Sequence, residues 1–305
     1  MRCVVTGGAG FIGGYIARDL LARGDEVVIY DIATPDDDLF DRATVVRGNV
    51  CDWSRTLSVV EGADEVYHCA AVLGTAELIS MAQEAVSVNV GGALNVLQAA
   101  ICHGVKRVFC PAKPNGWRNI YTITKFATEE LYLLFREIHG IDVTVLRWYN
   151  AFGPLQHYWP VRKVVPTFVL AAITGRPLPV YGTGEQTVDL VYVEDIARVA
   201  VDATRYNWSP GVVADVGSGI PMTVNDLATL IAELGGCGSK VWHEPMRPGE
   251  PEHSMIVADP AFLQSHGVEL WSVRDALART VEAYRERVVP EEAHRVLDHY
   301  GIPRE

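Results

Sequence analysis

The run Val4-Val5-Thr6-Gly7-Gly8-Ala9-Gly10-Phe11-Ile12-Gly13-Gly14 constrains the fold more than any other stretch. Gly7, Gly10 and Gly13 recur at intervals of three between a β-branched segment and a helical pattern. Glycine permits a tight turn and close approach of the backbone to a pyrophosphate, whose charge then lies at the positive end of the following helix. The order strand, glycines, helix predicts a dinucleotide site. Asp31 ends the next β-branched run, near the interval at which an acid meets the adenosine ribose. Its carboxylate accepts from ribose hydroxyls and repels a 2′-phosphate, and the residues that follow, Ile32 to Asp38, offer no arginine to bind one. The cofactor expected is NAD.

The same alternation continues. Arg2 to Thr6, Glu26 to Tyr30, Ala43 to Gly48, Glu65 to Ala70, Lys106 to Cys110 and Asp142 to Trp148 read as strands, with helices at Ile12 to Ala22, Glu84 to His103 and Tyr121 to His139 between them. Strands apolar on both faces, each followed by a helix, predict an α/β chain with a doubly wound parallel sheet. This part is placed at residues 1–165, with returns near 190–218. Beyond Asn150 proline and glycine become denser and the beat loosens, which predicts a smaller interleaved lobe over 166–305. The tail from Pro290 is charged and amphipathic: a solvated terminal helix, or a contact for a second copy.

At 305 residues the chain supports a substantial core, and its net charge of -12 argues against nucleic-acid and anionic-membrane partners. Six cysteines (Cys3, Cys51, Cys69, Cys102, Cys110, Cys237) show no C-x-x-C spacing, so free thiols are expected rather than disulfides or a metal site. No leader pattern opens the sequence and no run is expected to span a membrane, which points to the cytoplasm.

Two further features carry chemistry. Asn49, in Gly48-Asn49-Val50-Cys51-Asp52, is placed to meet an adenine edge, or serves as an ordinary turn residue. Tyr121 and Lys125 stand four apart in a helical pattern, so their side chains share a face. A phenol titrating near ~10 is a poor base at neutral pH, and a neighbouring ammonium favours its ionised form.

Taken in order, "TGGAGFIGG", "GNVCD", "HCAA", "NVGGALNVLQAA", "YTITK", "LRWYNAFGP", "VVPTFVLAAITGRPLPVYGTGEQT", "VYVEDIA", "DVGSG" and "RPGEPEHSMIVAD" resemble the extended short-chain dehydrogenase/reductase family, in particular its nucleotide-sugar epimerases and dehydratases. The resemblance implies a Rossmann-type NAD-binding domain, a smaller C-terminal substrate-binding lobe that clamps a nucleotide diphosphate sugar, and a homodimer. It implies that Tyr121 is the base on a sugar hydroxyl and that Lys125 binds the nicotinamide ribose. Phe11, Ile12, Ile32, Val50, Ala70, Ala71, Asn89 and Tyr149 would join the glycines, Asp31 and Asn49 around the cofactor. Asn150, Val165, Tyr181, Arg247 and Glu250 would meet the substrate. Read without the resemblance, the alanines are core residues, Asn89 a helix-entry cap and Arg247 a solvated charge.

The chain departs from the family pattern twice. Where the fifth strand usually ends in hydroxyl residues, it has Pro111, Ala112 and Lys113, followed by a shortened loop. Lys113 is either a replacement donor, and so catalytic, or a solvent-facing loop residue. An arginine that usually meets the diphosphate is replaced by Val188, with Arg162, Lys163 and Arg247 as candidate substitutes. Neither the cysteine of the family's 3,5-epimerases nor the Asp-Glu pair of its dehydratases follows the fifth strand, although His157 and Tyr158 lie near the place of a second acid. The reading that results is an NAD-dependent nucleotide-sugar 4-epimerase. The alternatives are a dehydratase, 3,5-epimerase or oxidoreductase of the same family, and an NAD-binding sensor or scaffold without chemistry.

Overall fold

The computed structural model describes residues 1–35, 39–114, 116–236, 238–247, 250–251 and 253–304. Cys237, the acidic run Asp36 to Asp38 and two residues of the "RPGE" stretch lie outside them. The chain divides into two compact units, Met1–Trp148 with Glu194–Val216, and Tyr149–Val193 with Gly217–Glu305.

In the first unit the β-branched runs become strands β1 (Arg2–Thr6), β2 (Glu26–Asp31), β3 (Thr44–Arg47), β4 (Glu65–His68), β5 (Arg107–Ala112) and β6 (Asp142–Trp148). Between them run α1 (Phe11–Ala22), α2 (Leu39–Arg42), α3 (Trp53–Val60), α4 (Ala82–Ala85), α5 (Gly92–Cys102) and α6 (Ile120–His139). Among the described residues these six strands and Val213–Val216, β11 in chain order, form one parallel sheet in the order β3-β2-β1-β4-β5-β6-β11. The order reverses direction between β1 and β4, and ligands of such sheets bind outside the carboxyl ends of the strands at that point.

Two details follow from the ladder. Pairing of β5 with β4 ends at Phe109, whereas pairing with β6 continues to Ala112. Pro111, which has no N–H, therefore sits where only one neighbour remains, the kind of place a sheet tolerates proline. The helix expected from Glu84 is broken in character: α4 and α5 are joined by a π-helical stretch, Val86–Gly91. Contrary to the expectation from sequence, the run Ala82–Cys102 is long and apolar enough to cross a membrane. Its apolar residues Ala85, Ala93, Val96, Leu97, Ala99 and Ala100 are fully buried, and five of them join the core cluster with Val66 and Val108. This is a core helix of an α/β unit.

The second unit begins where the chain leaves the sheet after Trp148, so the expected boundary at 165 lies inside it. It contains β7 (Asn150–Phe152), β8 (Leu178–Tyr181), β9 (Thr187–Val188), β10 (Leu190–Tyr192), β12 (Met222–Thr223) and β13 (Val241–Glu244) in three two-stranded pairs. Its helices are α7 (Val164–Ile173), α9 (Val224–Gly235), α10 (Ala261–Ser265), α11 (Val273–Arg287) and α12 (Pro290–His299); α8 (Val193–Arg205) runs on into the first unit. The buried Asp189 organises this unit. Its carboxylate accepts from the Ser218 N–H (2.8 Å), the Ser218 hydroxyl (2.7 Å), the Gly219 N–H (2.9 Å) and the Ala258 N–H (3.0 Å).

The tail is neither a solvated helix nor left to a second copy on its apolar face. Ala293, Val296, Leu297 and Ile302 are buried within the chain itself. Arg176, also buried, binds the tail from behind: it donates to the carbonyls of Pro303 (3.0 Å), His294 (3.2 Å) and Ile302 and pairs with Asp298 (2.7 Å). The charged sequence predicts a surface helix because the partner of its apolar stripe lies more than a hundred positions earlier.

Asp189→Ala leaves four donors without an acceptor, three of them from one loop, Ser218 and Gly219. The expected loss is about 3 kcal/mol, read as a fall of roughly 6–12 °C in Tm. A variant melting with the wild type would remove Asp189 from its place in the unit.

Candidate active site

Three backbones meet at the carboxyl end of β1. Gly7 has φ 69°, and a Cβ there would lie 2.6 Å from the Ala70 nitrogen at the end of β4. A Cβ on Gly13 would lie 2.2 Å from the Gly7 carbonyl oxygen. No side chain fits at either place, so the start of α1 rests directly on the turn. Gly10 caps α1 with no side-chain acceptor, and no acid occupies the first turn, which leaves the N–H groups of the helix start open to an anion. Phe11 and Ile12 open that helix.

Asp31 reaches back from β2. One carboxylate oxygen accepts from the Ala9 N–H and the other from the Ala33 N–H, each at 3.0 Å, and each keeps a lone pair for a ribose hydroxyl. Ile32 next to it is 65% exposed. The amide oxygen of Asn49 accepts from the Cys51 N–H at 2.9 Å, a turn contact that leaves its NH₂ for an adenine edge. Asn49 borders a cavity of about 540 Å³ shared with Cys51, Met81, Glu84 and Ser87. The side chain of Val50 is instead buried against Gly92, and its carbonyl accepts from Thr56 and Asn95. Ala70 and Ala71 are half-buried after β4. A cradle that excludes any Cβ, an open helix start and a positioned carboxylate fit a dinucleotide.

Helix α6 carries Tyr121 and Lys125. It starts because the Asn119 side chain accepts from the Thr122 N–H (2.8 Å), and it stops at Gly140 in the left-handed conformation. Tyr121 is half-buried and Lys125 is buried. The Lys125 charge acts on His68, Cys69 and Cys110 at the ends of β4 and β5. Burial, with Lys125 adding to it, brings the His68 pKa down to about 3, and burial pushes the Cys69 and Cys110 thiols up to about 12 and about 11.

Asn89 is not a helix-entry cap. It lies buried in the π-helical stretch, accepts from the Val72 N–H (2.8 Å) and donates to the Val72 carbonyl (3.0 Å) and the Thr124 hydroxyl oxygen (3.0 Å). One carboxamide therefore fixes the chain after Ala71 to the turn of α6 between Tyr121 and Lys125. Thr124 completes the link by donating to the Tyr121 carbonyl (3.0 Å).

The residues expected to meet substrate fall in the second unit, as does Tyr149, its first residue. The Arg162 and Arg247 guanidinium carbons stand 4.8 Å and 5.4 Å from the centre of the Tyr181 ring. Burial, with a bond to Glu244 among the smaller causes, raises the Tyr181 pKa to about 12, and Arg247 pairs with Glu250. Asn150 is tied to Asp189, whose carbonyl accepts from its backbone N–H (2.9 Å) and its amide (3.3 Å). Val165 is buried at the start of α7, and Lys163 donates to the His157 carbonyl. Tyr158 does not serve as an open acid: its hydroxyl donates to Glu292 (2.8 Å), and burial with that bond raises its pKa to about 12. Arg162 is the residue whose place the sequence left undecided; only the fold brings it to Tyr181.

The model of the NAD dependent epimerase/dehydratase family matches residues 3–213. The chain belongs to that family. It is 32% identical to a dTDP-glucose 4,6-dehydratase of Streptomyces antibioticus, over 94% of this chain and 93% of that one. It is 29% identical to a UDP-N-acetyl-alpha-D-glucosaminuronate decarboxylase of Bacillus cytotoxicus, over 82% and 85%. Its fold matches the UDP-glucose 4-epimerase of Thermotoga maritima, solved with UDP-glucose, at a TM-score of 0.89 and 26% identity over 95% and 100%. The protein is an NAD-dependent enzyme of the epimerase/dehydratase family, and NAD is its cofactor.

Within this family member the strand-end lysine is neither exposed nor free. The Lys113 ammonium donates to the Pro114 carbonyl (2.9 Å) and the Thr122 hydroxyl oxygen (2.8 Å), and lies 5.6 Å and 6.0 Å from the Trp117 and Tyr121 ring centres. Burial lowers its pKa to about 8. Unfolded, the same amine titrates near ~10.4. Below pH 8 both states are charged and the burial penalty is fully present. Between about 8 and 10.4 the unfolded chain holds more protons, so stability gains from this group as pH rises. In Lys113→Met that gain is absent: the Tm difference between wild type and variant should shift toward the wild type from pH 7 to pH 10. A difference independent of pH would place the amine in solvent.

Proposed function

We propose that the protein is a nucleotide-sugar 4-epimerase that oxidises C4 transiently and reduces it on the other face. The observation that carries this reading is chemical economy at the end of β5. Tyr121 and Lys125 are present, while residues 111–119 contain no carboxylate to remove water from a neighbouring carbon. NAD, when bound, accepts the hydride and returns it. Tyr121 takes the proton of the C4 hydroxyl and gives it back in the reverse step. The Lys125 ammonium, one turn further on the same helix, stabilises the phenolate and donates to the nicotinamide ribose. Lys113 adds positive charge near the ring and holds the helix start. The positively charged face of Tyr181, built by Arg162 and Arg247, supports a nucleotide diphosphate as the handle of the substrate.

Incubation with a panel of nucleotide sugars in D₂O, read by proton NMR and mass spectrometry, tests the reaction. The expected product is the C4 epimer without deuterium. Loss of water or carbon dioxide would replace this reading with the dehydratase or decarboxylase activities named among its relatives. Tyr121→Phe should lower kcat by about 100-fold or more with bound NAD unchanged; turnover at the wild-type rate would remove Tyr121 as the base.

The same reading includes a homodimer in a reducing compartment, the cytoplasm. Free thiols at Cys3, Cys51, Cys69, Cys102 and Cys110 support the compartment. Ile123 (58% exposed), Phe126 (45%), Leu134 (46%) and Ile138 (64%) share one outer face of α6, an apolar stripe suited to a second copy. Sedimentation should give a dimer for the wild type and a monomer for Phe126→Lys/Leu134→Lys. A monomeric wild type would refute the dimer.

A further inference from the structure

The segment that joins β5 to α6 offers hydrogen-bond donors and has spent its acceptors. The Lys113 ammonium uses two of its three N–H groups, on the Pro114 carbonyl (2.9 Å) and the Thr122 hydroxyl oxygen (2.8 Å), and the third has no partner among the described residues. The Trp117 ring centre lies 5.6 Å from that ammonium, and the indole Nε1 is buried with no hydrogen-bond partner. The Asn119 side-chain oxygen is committed to the Thr122 N–H (2.8 Å). No aspartate or glutamate occurs over residues 111–119. Burial lowers the Lys113 pKa to about 8, and no neighbouring negative charge offsets it. A half-buried cation without a counter-ion and a buried indole N–H without an acceptor are both costly until a ligand completes them.

Such a pair discriminates between ligands. A hydroxyl at the strand end both donates and accepts, and so suits a sugar hydroxyl, which does the same. An ammonium and an indole N–H only donate, and they match a group that only accepts. An ionised carboxylate is such a group, with one oxygen for each donor. One cation and one neutral donor balance a single negative charge. A phosphate monoester carries roughly −1.5 to −2 near pH 7 and would call for a second cation, whereas Arg118, the other cation of this segment, is exposed. The Lys113 ammonium also lies 6.0 Å from the Tyr121 ring centre. A hexose whose C4 hydroxyl meets Tyr121 carries C6 on the adjoining ring carbon, so a carboxylate at C6 lies beside that hydroxyl.

We propose that the sugar of the substrate is a hexuronate, and that Lys113, together with the Trp117 indole N–H, binds its carboxylate. This rests on the nucleotide-sugar reading and names the substrate class of the same site. The departure of the strand end from hydroxyl residues is then a change of specificity: the chain gives up a partner for a neutral hydroxymethyl group and gains one for its oxidised form.

The test is calorimetric titration of the full-length, NAD-loaded protein with matched sugars, glucose against glucuronate and galactose against galacturonate, each carried on UDP, dTDP, GDP and CDP. Turnover of each is followed by proton NMR. In the wild type the hexuronate of at least one nucleotide should bind about 10- to 100-fold more tightly than its hexose. Lys113→Met should bring the ratio of the two affinities to about one, and Lys113→Arg, which keeps the charge, should hold it well above that. Trp117→Phe, which keeps a ring and removes the N–H, should lower the ratio about 3- to 10-fold. It carries the test if the methionine variant fails to retain NAD and a cooperative melt. The ratio is the readout because a loosened helix start would weaken both sugars alike. Equal affinity for hexose and hexuronate in the wild type, or a ratio unmoved in Lys113→Met, would overturn the inference and leave the nucleotide-sugar reading standing. A ratio unmoved in Trp117→Phe would remove the indole from the site. A hexuronate that binds tightly and turns over with loss of carbon dioxide would replace the 4-epimerase and keep the inference. A wild type that binds none of these sugars would overturn the nucleotide-sugar reading, and the inference with it.

Discussion

The first unit depends on a contact in which no side chain takes part. Gly13 lies on the carbonyl of Gly7, and Gly7 lies on the main chain of Ala70, so α1, β1 and the end of β4 converge within the space of missing Cβ atoms. A methyl group at Gly7 would also be strained by its φ of 69°. This crowding fixes where the helix start points. It also puts the reversal of strand order, between β1 and β4, directly under that helix start. Asp31 then has one short step to make, from the end of β2 to the Ala9 N–H. Steric exclusion builds the cradle, and the carboxylate locks it.

A second constraint ties this cradle to the chemistry. Asn89 spends its amide on Val72 and Thr124, so the chain that follows Ala71 cannot shift without moving α6. Such bonds require a polar side chain on a largely apolar helix to face Val72 and α6, and the π-helical stretch Val86–Gly91 is where it does so. Local widening of a helix has a conformational cost, and its recurrence at functional sites fits what is seen here. Buried amides with every polar group satisfied are rigid, whereas partly satisfied ones are liabilities. Tyr121 and Lys125 therefore sit on a helix whose first turn is held three ways: by the Asn119 cap, by Asn89 through Thr124 and by Lys113 through Thr122.

What could be read from sequence was local or periodic. The parallel sheet, the glycine turn, Asp31 and the Tyr121–Lys125 face depend on spacing within a few residues, and all emerge from the strand and helix beat. Long-range partners left no such trace. Asp189 meets Ala258, Arg176 meets Pro303 and Arg162 meets Tyr300, and nothing near any of these residues distinguishes a buried hub from a surface charge. Composition also fails where two environments look alike to it. The Ala82–Cys102 run is as apolar as a membrane segment because its buried face is covered by protein, and the amphipathic tail resembles a free helix because its partner is α7. Lys113 stood open between donor and solvent because residue type does not give side-chain direction; burial beside Thr122 decides against solvent.

That placement bears on how the site can work without the usual hydroxyl. A lost donor to a developing oxyanion costs roughly 10²–10³ in rate when nothing replaces it. An ammonium has three N–H donors. Lys113 commits two, to Pro114 and Thr122, and both bonds hold its charge near the Tyr121 ring rather than letting it swing into solvent. The effect of a charge grows as water is excluded around it, and Lys113 is half-buried, a burial that lowers its pKa to about 8. A strand end that gives up a neutral hydroxyl and keeps a desolvated cation at the start of the tyrosine helix has exchanged a directional hydrogen bond for a field. Under the proposed reading, such a field acts at Tyr121 in both directions of proton transfer.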